Sequence, residues 1–109
     1  MAEDMISPQQ IQRITNRIVD VYQPEKIILF GSYAHGTASE NSDLGLLIIK
    51  ETEEASVDRA AMVRKSMRDF LLPMDILVYT PQEIEENQKS KFSFIYQVIK
   101  TGKLLYDRS

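Results

Sequence analysis

The chain has 109 residues, enough for one domain (1–109) with a real hydrophobic core, and its 43% hydrophobic and 27% charged content is that of a folded protein. A formal charge of -3 argues against an electrostatic hold on bulk nucleic acid or an anionic membrane, and the absence of cysteine excludes disulfides, thiolate metal sites and cysteine nucleophiles. No apolar run nears the roughly 18 residues of a membrane span, and the acidic start Met1-Ala2-Glu3-Asp4 lacks the apolar stretch of a secretory signal, so the expected setting is the cytoplasm.

Ser7-Pro8-Gln9-Gln10 opens the first predicted helix: a serine cap, proline in the first turn, and a glutamine placed to return a hydrogen bond. Ile11, Ile14, Ile18 and Val21 continue it as one apolar stripe to Tyr22, and Gln23-Pro24-Glu25 breaks it. Lys26 to Phe30 is a short buried strand stopping at Gly31. Tyr33-Ala34-His35 begins a short helix, and Thr37 to Asn41 is a loop. Leu44 to Ile49, nearly all apolar, is a strand covered on both faces. After the solvated acidic connection Lys50 to Glu54, Ser56 to Leu72 reads as a helix whose broad apolar face holds Val57, Ala60, Ala61, Val63, Met67, Phe70 and Leu71.

Pro73 ends that helix, and Met74 to Tyr79 is a third strand carrying one acid, Asp75. Thr80-Pro81-Gln82-Glu83 is a second capping box, opening a helix to about Asn87. Phe92, Ile95, Tyr96 and Ile99 mark a last helix closed by Gly102, and Lys103 to Tyr106 is a final short strand. Helices and strands mixed around one small sheet define an α/β or α+β fold.

Two features of this chain carry chemistry. The first is the turn Gly31-Ser32, where glycine allows close backbone approach and the amides of a helix start favour an anion; Ser32 adds a hydroxyl donor, and Gly36 permits a positive φ at the end of the turn. A P-loop has the same glycine spacing but fails here, because Thr37-Ala38 stand where lysine and a metal-binding hydroxyl are required. The second is a pair of acids on apolar strands. Alternation along a strand puts Asp43, Gly45, Leu47 and Ile49 on one face, and an acid entering such a strand is costly unless paired or bound to a cation. Asp75 repeats the situation on the next strand. Oxygen ligands of this kind suit magnesium. For each acid alone, a strand-end cap or a surface salt bridge explains it equally well.

Gly31-Ser32, ten residues, then Asp43 resembles the signature of the minimal nucleotidyltransferases of the polymerase-β-like superfamily, whose pattern continues as Asp-x-Asp with a third acid on a later strand. Met74-Asp75-Ile76-Leu77-Val78 is similar to that third-acid strand, and the likeness spans essentially the whole chain. The resemblance implies a small mixed sheet flanked by helices and a magnesium-dependent transfer of a nucleoside monophosphate, AMP from ATP above other triphosphates. It implies that Gly31 and Ser32 hold the triphosphate, that Asp43 bridges two magnesium ions, and that Asp75 holds the catalytic ion and helps activate the attacking hydroxyl. His35 occupies a place where relatives often carry arginine, and a protonated imidazole there assists phosphate binding.

The pattern breaks at Gly45, which stands where the second acid of the pair belongs and supplies no ligand. Glu40 and Asn41 are near enough in sequence to substitute. Among the remaining polar and aromatic residues, Arg64, Lys65 and Arg68 read as solvated helix charges, and Tyr33 and Phe30 as candidates to stack on a base, with core packing the better reading for Phe30. Many small proteins of this resemblance are antitoxins that add AMP to a tyrosine of a helical HEPN-type toxin. The expectation is therefore a transferase acting on a macromolecular hydroxyl, compatible with a homo- or hetero-oligomer and weakened by Gly45. The alternative is a catalytically degenerate module that binds nucleotide or partner.

Overall fold

A computed structural model describes residues 5–109; the acidic segment 1–4 lies outside the described residues. Helix α1 (Pro8–Tyr22) starts where the capping box places it: Gln10 N–H donates to Ser7 Oγ, and Ser7 N–H donates to Gln10 Oε1. It ends at Gln23, whose left-handed φ of 52° lets its amide reach Val19 O. Strand β1 (Lys26–Phe30) leads into the four-residue helix α2 (Ser32–His35), and β2 (Leu44–Ile49) follows a loop. Then come α3 (Ser56–Lys65), β3 (Met74–Tyr79), α4 (Pro81–Asn87), α5 (Phe94–Thr101) and β4 (Lys103–Asp107).

The four strands form one mixed sheet in the order β3-β2-β1-β4. β1 runs antiparallel to β2 and β4, with an irregularity between Ile27 and Ile28 on the β4 side, whereas β2 and β3 are parallel. A parallel neighbour needs a crossover connection, and α3 supplies it. Every residue of β2 is buried, as its unbroken apolar run requires of a strand covered on both faces. One face packs Ile27, Leu29, Leu46, Ile48 and Ile76 against Ile14 and Ile18 of α1 and Val63 of α3. The other packs Ile28, Phe30, Leu47 and Ile49 against Ile84 of α4 and Ile95 and Val98 of α5. Among the described residues no helix is long and apolar enough to cross a membrane.

The sequence reading overshot in two places. The helix expected over Ser56 to Leu72 ends at Lys65. There the Ser66 hydroxyl and amide both turn back to Val63 O, and Met67 and Phe70 amides bond three residues back, so the chain tightens into turns before Pro73. Its buried side is Arg59, Val63 and Met67; Val57 and Leu71 are 80% and 90% exposed, and Ala61 is exposed too, off the expected apolar face. Phe92 lies outside α5 and is fully exposed, because Ser93 caps that helix by accepting from Tyr96 N–H.

Gly102 joins α5 to the sheet more tightly than a helix end requires. A Cβ there would lie 2.6 Å from Val98 O and 2.7 Å from both Leu29 O and the Ile28 methyl. Two of these neighbours are backbone and cannot swing aside. Gly102→Ala is therefore expected to destabilise the chain by about 1–3 kcal/mol, the usual cost of overpacking, read as a lower midpoint in urea with an unchanged slope.

Candidate functional site

The turn after β1 is built around two glycines that no other residue replaces without strain. Gly31 has φ 82° and Gly36 φ 75°, both in the region that L side chains rarely adopt. Between them, Ala34 and His35 amides donate to Gly31 O, and Thr37 N–H donates to Ser32 O. The amides of Ser32 and Tyr33 are left at the open end of α2, as in the first turn of any helix. Tyr33 anchors the turn from within: its ring packs half-buried on the α1 face, and its hydroxyl accepts from Ile6 N–H at 3.0 Å. That contact and the burial of Phe30 leave neither ring displayed as a platform for a base. The His35 side chain is exposed at the end of α2 and, among the described residues, makes no hydrogen bond or ion pair.

Asp43 is delivered to the same end of the sheet by a serine-rich turn. Ser39 N–H donates to Ser42 Oγ, Ser42 N–H donates to Ser39 O, and Leu44 N–H then enters the sheet on Pro73 O at 2.9 Å. In the register, Phe30 faces Gly45, and Gly45 faces Asp75. Paired residues share a face, and so does the residue two positions earlier. Asp75 thus lies beside Gly45 at the start of β3, and Asp43 immediately precedes β2 at the same end of the sheet. Both are exposed at the sheet end, and β1 leaves this end of the sheet through Gly31 and Ser32. The end of β1, which runs into Gly31 and Ser32, and the starts of β2 and β3, which follow Asp43 and carry Asp75, lie at the same end of the sheet.

As a cation site this arrangement is incomplete. Among the described residues there is no cluster of three His, Cys, Asp or Glu side chains that could hold an ion. Two exposed carboxylates at one end of the sheet still fit a single magnesium ion, which keeps several waters and shares substrate phosphate oxygens. Arg64, Lys65 and Arg68 are exposed on and just after α3, the helix of the opposite face, and do not converge on the acids. Two residues that the sequence reading passed over prove structural. Arg59 is buried and paired to Glu83 at 2.6 Å, beside a concavity of about 360 Å³ at the outer edge of β3 that none of the candidate residues lines. Phe94 lies edge-on to Phe30; only Ser93, as a cap signal, marked its place.

Residues 9–109 match the family model described as polymerase beta, nucleotidyltransferase, and the chain belongs to this nucleotidyltransferase family. Two Methanocaldococcus jannaschii proteins, each named "putative protein adenylyltransferase", are similar to it. One is 36% identical over 87 residues, 75% of this chain and 58% of that protein. The other is 31% identical over 107 residues, 94% of this chain and 100% of that protein. The chain thus spans somewhat over half of the first relative and the full length of the second. Among solved structures, a "putative nucleotidyltransferase" from Sulfolobus solfataricus superimposes with TM-score 0.63 at 23% identity, covering 90% of this chain and 78% of that one. A toxin-antitoxin structure with AMP-PNP does so with TM-score 0.52 at 19% identity, over 90% and 74%. Likeness at these identities shows the fold.

Proposed function

We propose that the chain transfers AMP from ATP to a hydroxyl of a protein partner, slowly because position 45 carries no acid. The observation that supports this reading is the strand register, which sets Asp75 opposite Gly45 at the sheet end where Asp43 leads into β2 and β1 runs out into Gly31-Ser32. Gly31 and Ser32, with His35 at the far end of α2, hold the triphosphate through amides and hydroxyl. Asp43 and Asp75 hold magnesium, which when bound neutralises charge on the phosphates of such a transfer. In the reaction the acceptor oxygen attacks the α-phosphorus and its bond to the β-phosphate oxygen breaks. Pyrophosphate leaves, and the hydroxyl proton passes to Asp75. The names of the two archaeal relatives support a protein acceptor. The AMP-PNP-bound toxin-antitoxin neighbour supports a toxin partner, for which a HEPN-type protein is the proposed class. ATP as donor implies the cytoplasm as the compartment.

A second reading is a degenerate module that holds nucleotide or partner without transfer, and Gly45 is the observation in its favour. One experiment separates the two. The chain, its Gly45→Asp version and its Asp43→Asn version are incubated with magnesium, α-labelled ATP and the product of the adjacent reading frame. Slow label transfer that Asp43→Asn abolishes and Gly45→Asp accelerates, by on the order of 10²–10³, is expected. Nucleotide binding without transfer in the unmodified chain supports the module, and absence of nucleotide binding in all three overturns the transferase reading.

A further inference from the structure

β3 ends the sheet on one side, and its outer edge is open. Pro73 O and Tyr79 O accept from the Leu44 and Lys50 amides. Alternation therefore turns the backbone groups of Asp75 and Leu77 toward β2 and those of Met74, Ile76 and Val78 outward. Among the described residues no turn, cap or side-chain hydrogen bond reaches these outward groups. Proteins usually blunt such an edge with lysine, proline or a bulge. The opposite edge does so: β4 opens on Lys103 and pairs irregularly with β1. β3 holds neither lysine nor proline and keeps an unbroken register.

Two hollows follow this edge. One, of about 360 Å³, runs beside Ile76 to Tyr79 between α3 and α4. The other, of about 200 Å³, lies beside Met74 and Ile76, floored by Met67, Phe70 and Leu72 and rimmed by Arg64 and Arg68. Both arginines are exposed, as is neighbouring Lys65, and among the described residues none of the three forms an ion pair. Asp69 cannot neutralise them, because Arg17 holds both its oxygens, at 2.8 and 2.9 Å. In a chain of net charge -3 this is an uncompensated basic rim beside the strand that carries Asp75.

We infer that the acceptor protein docks on the outer edge of β3, laying an acidic extended segment along Met74, Ile76 and Val78 with its carboxylates on Arg64 and Arg68. The added strand satisfies the outward amides and carbonyls and lies one strand spacing, about 4.8 Å, from β3. Its side chains alternate between two faces. One set meets the α3 side, where Ile76 packs and the arginines stand. The other set falls on the side of Leu77 and Tyr79, whose parity Asp75 shares. The acids of the segment and the hydroxyl offered to Asp75 are therefore an odd number of residues apart. A polynucleotide would match the cations but would leave the apolar floor and the strand amides unused. Modification of the docked hydroxyl rests on the transfer proposed above; the docking does not.

The probe is the product of the adjacent reading frame, titrated calorimetrically into the full chain without nucleotide. Arg64→Glu/Arg68→Glu is expected to weaken its binding by about tenfold or more, a loss that shrinks as salt is raised. Lys100→Glu/Lys103→Glu makes the same charge change toward the β4 edge and is expected to bind within about twofold of the unmodified chain. In residue-resolved hydrogen exchange, the Ile76 and Val78 amides are expected to slow by about tenfold or more in the complex. Equal weakening by the two double variants, unchanged exchange at Ile76 and Val78, or no complex at all overturns the inference. Polyuridylate binding that Arg64→Glu/Arg68→Glu abolishes, with the protein probe indifferent to that change, overturns it in favour of nucleic acid. A complex with the expected signatures but no label transfer from ATP overturns the proposed function and leaves the docking surface established.

Discussion

Replacing Asp75 with asparagine is expected to lower nucleotidyl transfer by on the order of 10²–10³ while leaving the fold intact. The magnitude is that of removing one preorganised electrostatic group from a site where charge develops in the transition state. Asparagine keeps the size and one carbonyl oxygen but loses the negative charge, and phosphoryl chemistry asks mainly for position and charge neutralisation. With Gly45 already neutral, the site has only Asp43 left to share the burden, so the loss falls at the upper end of that range. The fold is spared because Asp75 is exposed at the start of β3, a strand held by Ile76 and Val78 beneath it. An exposed substitution of this kind shifts stability by about 0.5 kcal/mol or less. Label transfer to the partner and a thermal melt on the same preparation check both halves. An Asp75→Asn chain that transfers at more than a tenth of the unmodified rate would remove Asp75 from the chemistry.

Much of this arrangement was legible in the sequence because it is encoded locally. Both capping boxes, at Ser7 and Thr80, name their own hydrogen bonds, and the structure makes them. Leu44 to Ile49 announces a strand with no solvent face, and β2 lies between β1 and β3 with every residue buried. The glycines at 31 and 36 fix a turn through backbone conformation alone. What escaped the sequence depends on contacts between distant segments. α3 looked longer because Val57 and Leu71 complete its periodicity, yet neither meets the sheet, and Ser66 bonds its own preceding turn. Arg59 was passed over, since nothing within its helix announces a partner 24 residues later. The candidate site divides the same way. Spacing located Gly31, Ser32 and Asp43, whereas the position of Asp75 opposite Gly45, and of Phe30 above it, comes from strand register and no single segment states it.

Arg59→Ala is expected to cost about 2 kcal/mol at neutral pH and to flatten the acid side of the stability profile. The guanidinium is 7% exposed and tied at two points, Nε donating to Glu54 O at 2.9 Å and Nη1 to Glu83 Oε1 at 2.6 Å. Breaking a fully buried pair costs about 3–5 kcal/mol. Glu83 is partly open to water and can be rehydrated, which lowers the figure, while loss of the packed aliphatic stem raises it. The Thr80 amide, first, and Arg59 hold the Glu83 carboxyl below its ordinary value of 4.5, against the opposing effect of burial. A carboxylate with a depressed pKa in the folded chain contributes stability above the unfolded value and loses it as pH falls through the folded one. The unmodified chain should therefore lose part of its stability below about pH 4.5, and Arg59→Ala should lose less, because the Thr80 amide remains and the guanidinium is gone. Urea midpoints measured from pH 7 to pH 3 check the profile, with Arg59→Met separating stem from charge. Should Arg59→Met match the unmodified chain at pH 7 and fall equally on acidification, the stem alone would account for Arg59 and the Thr80 amide for Glu83.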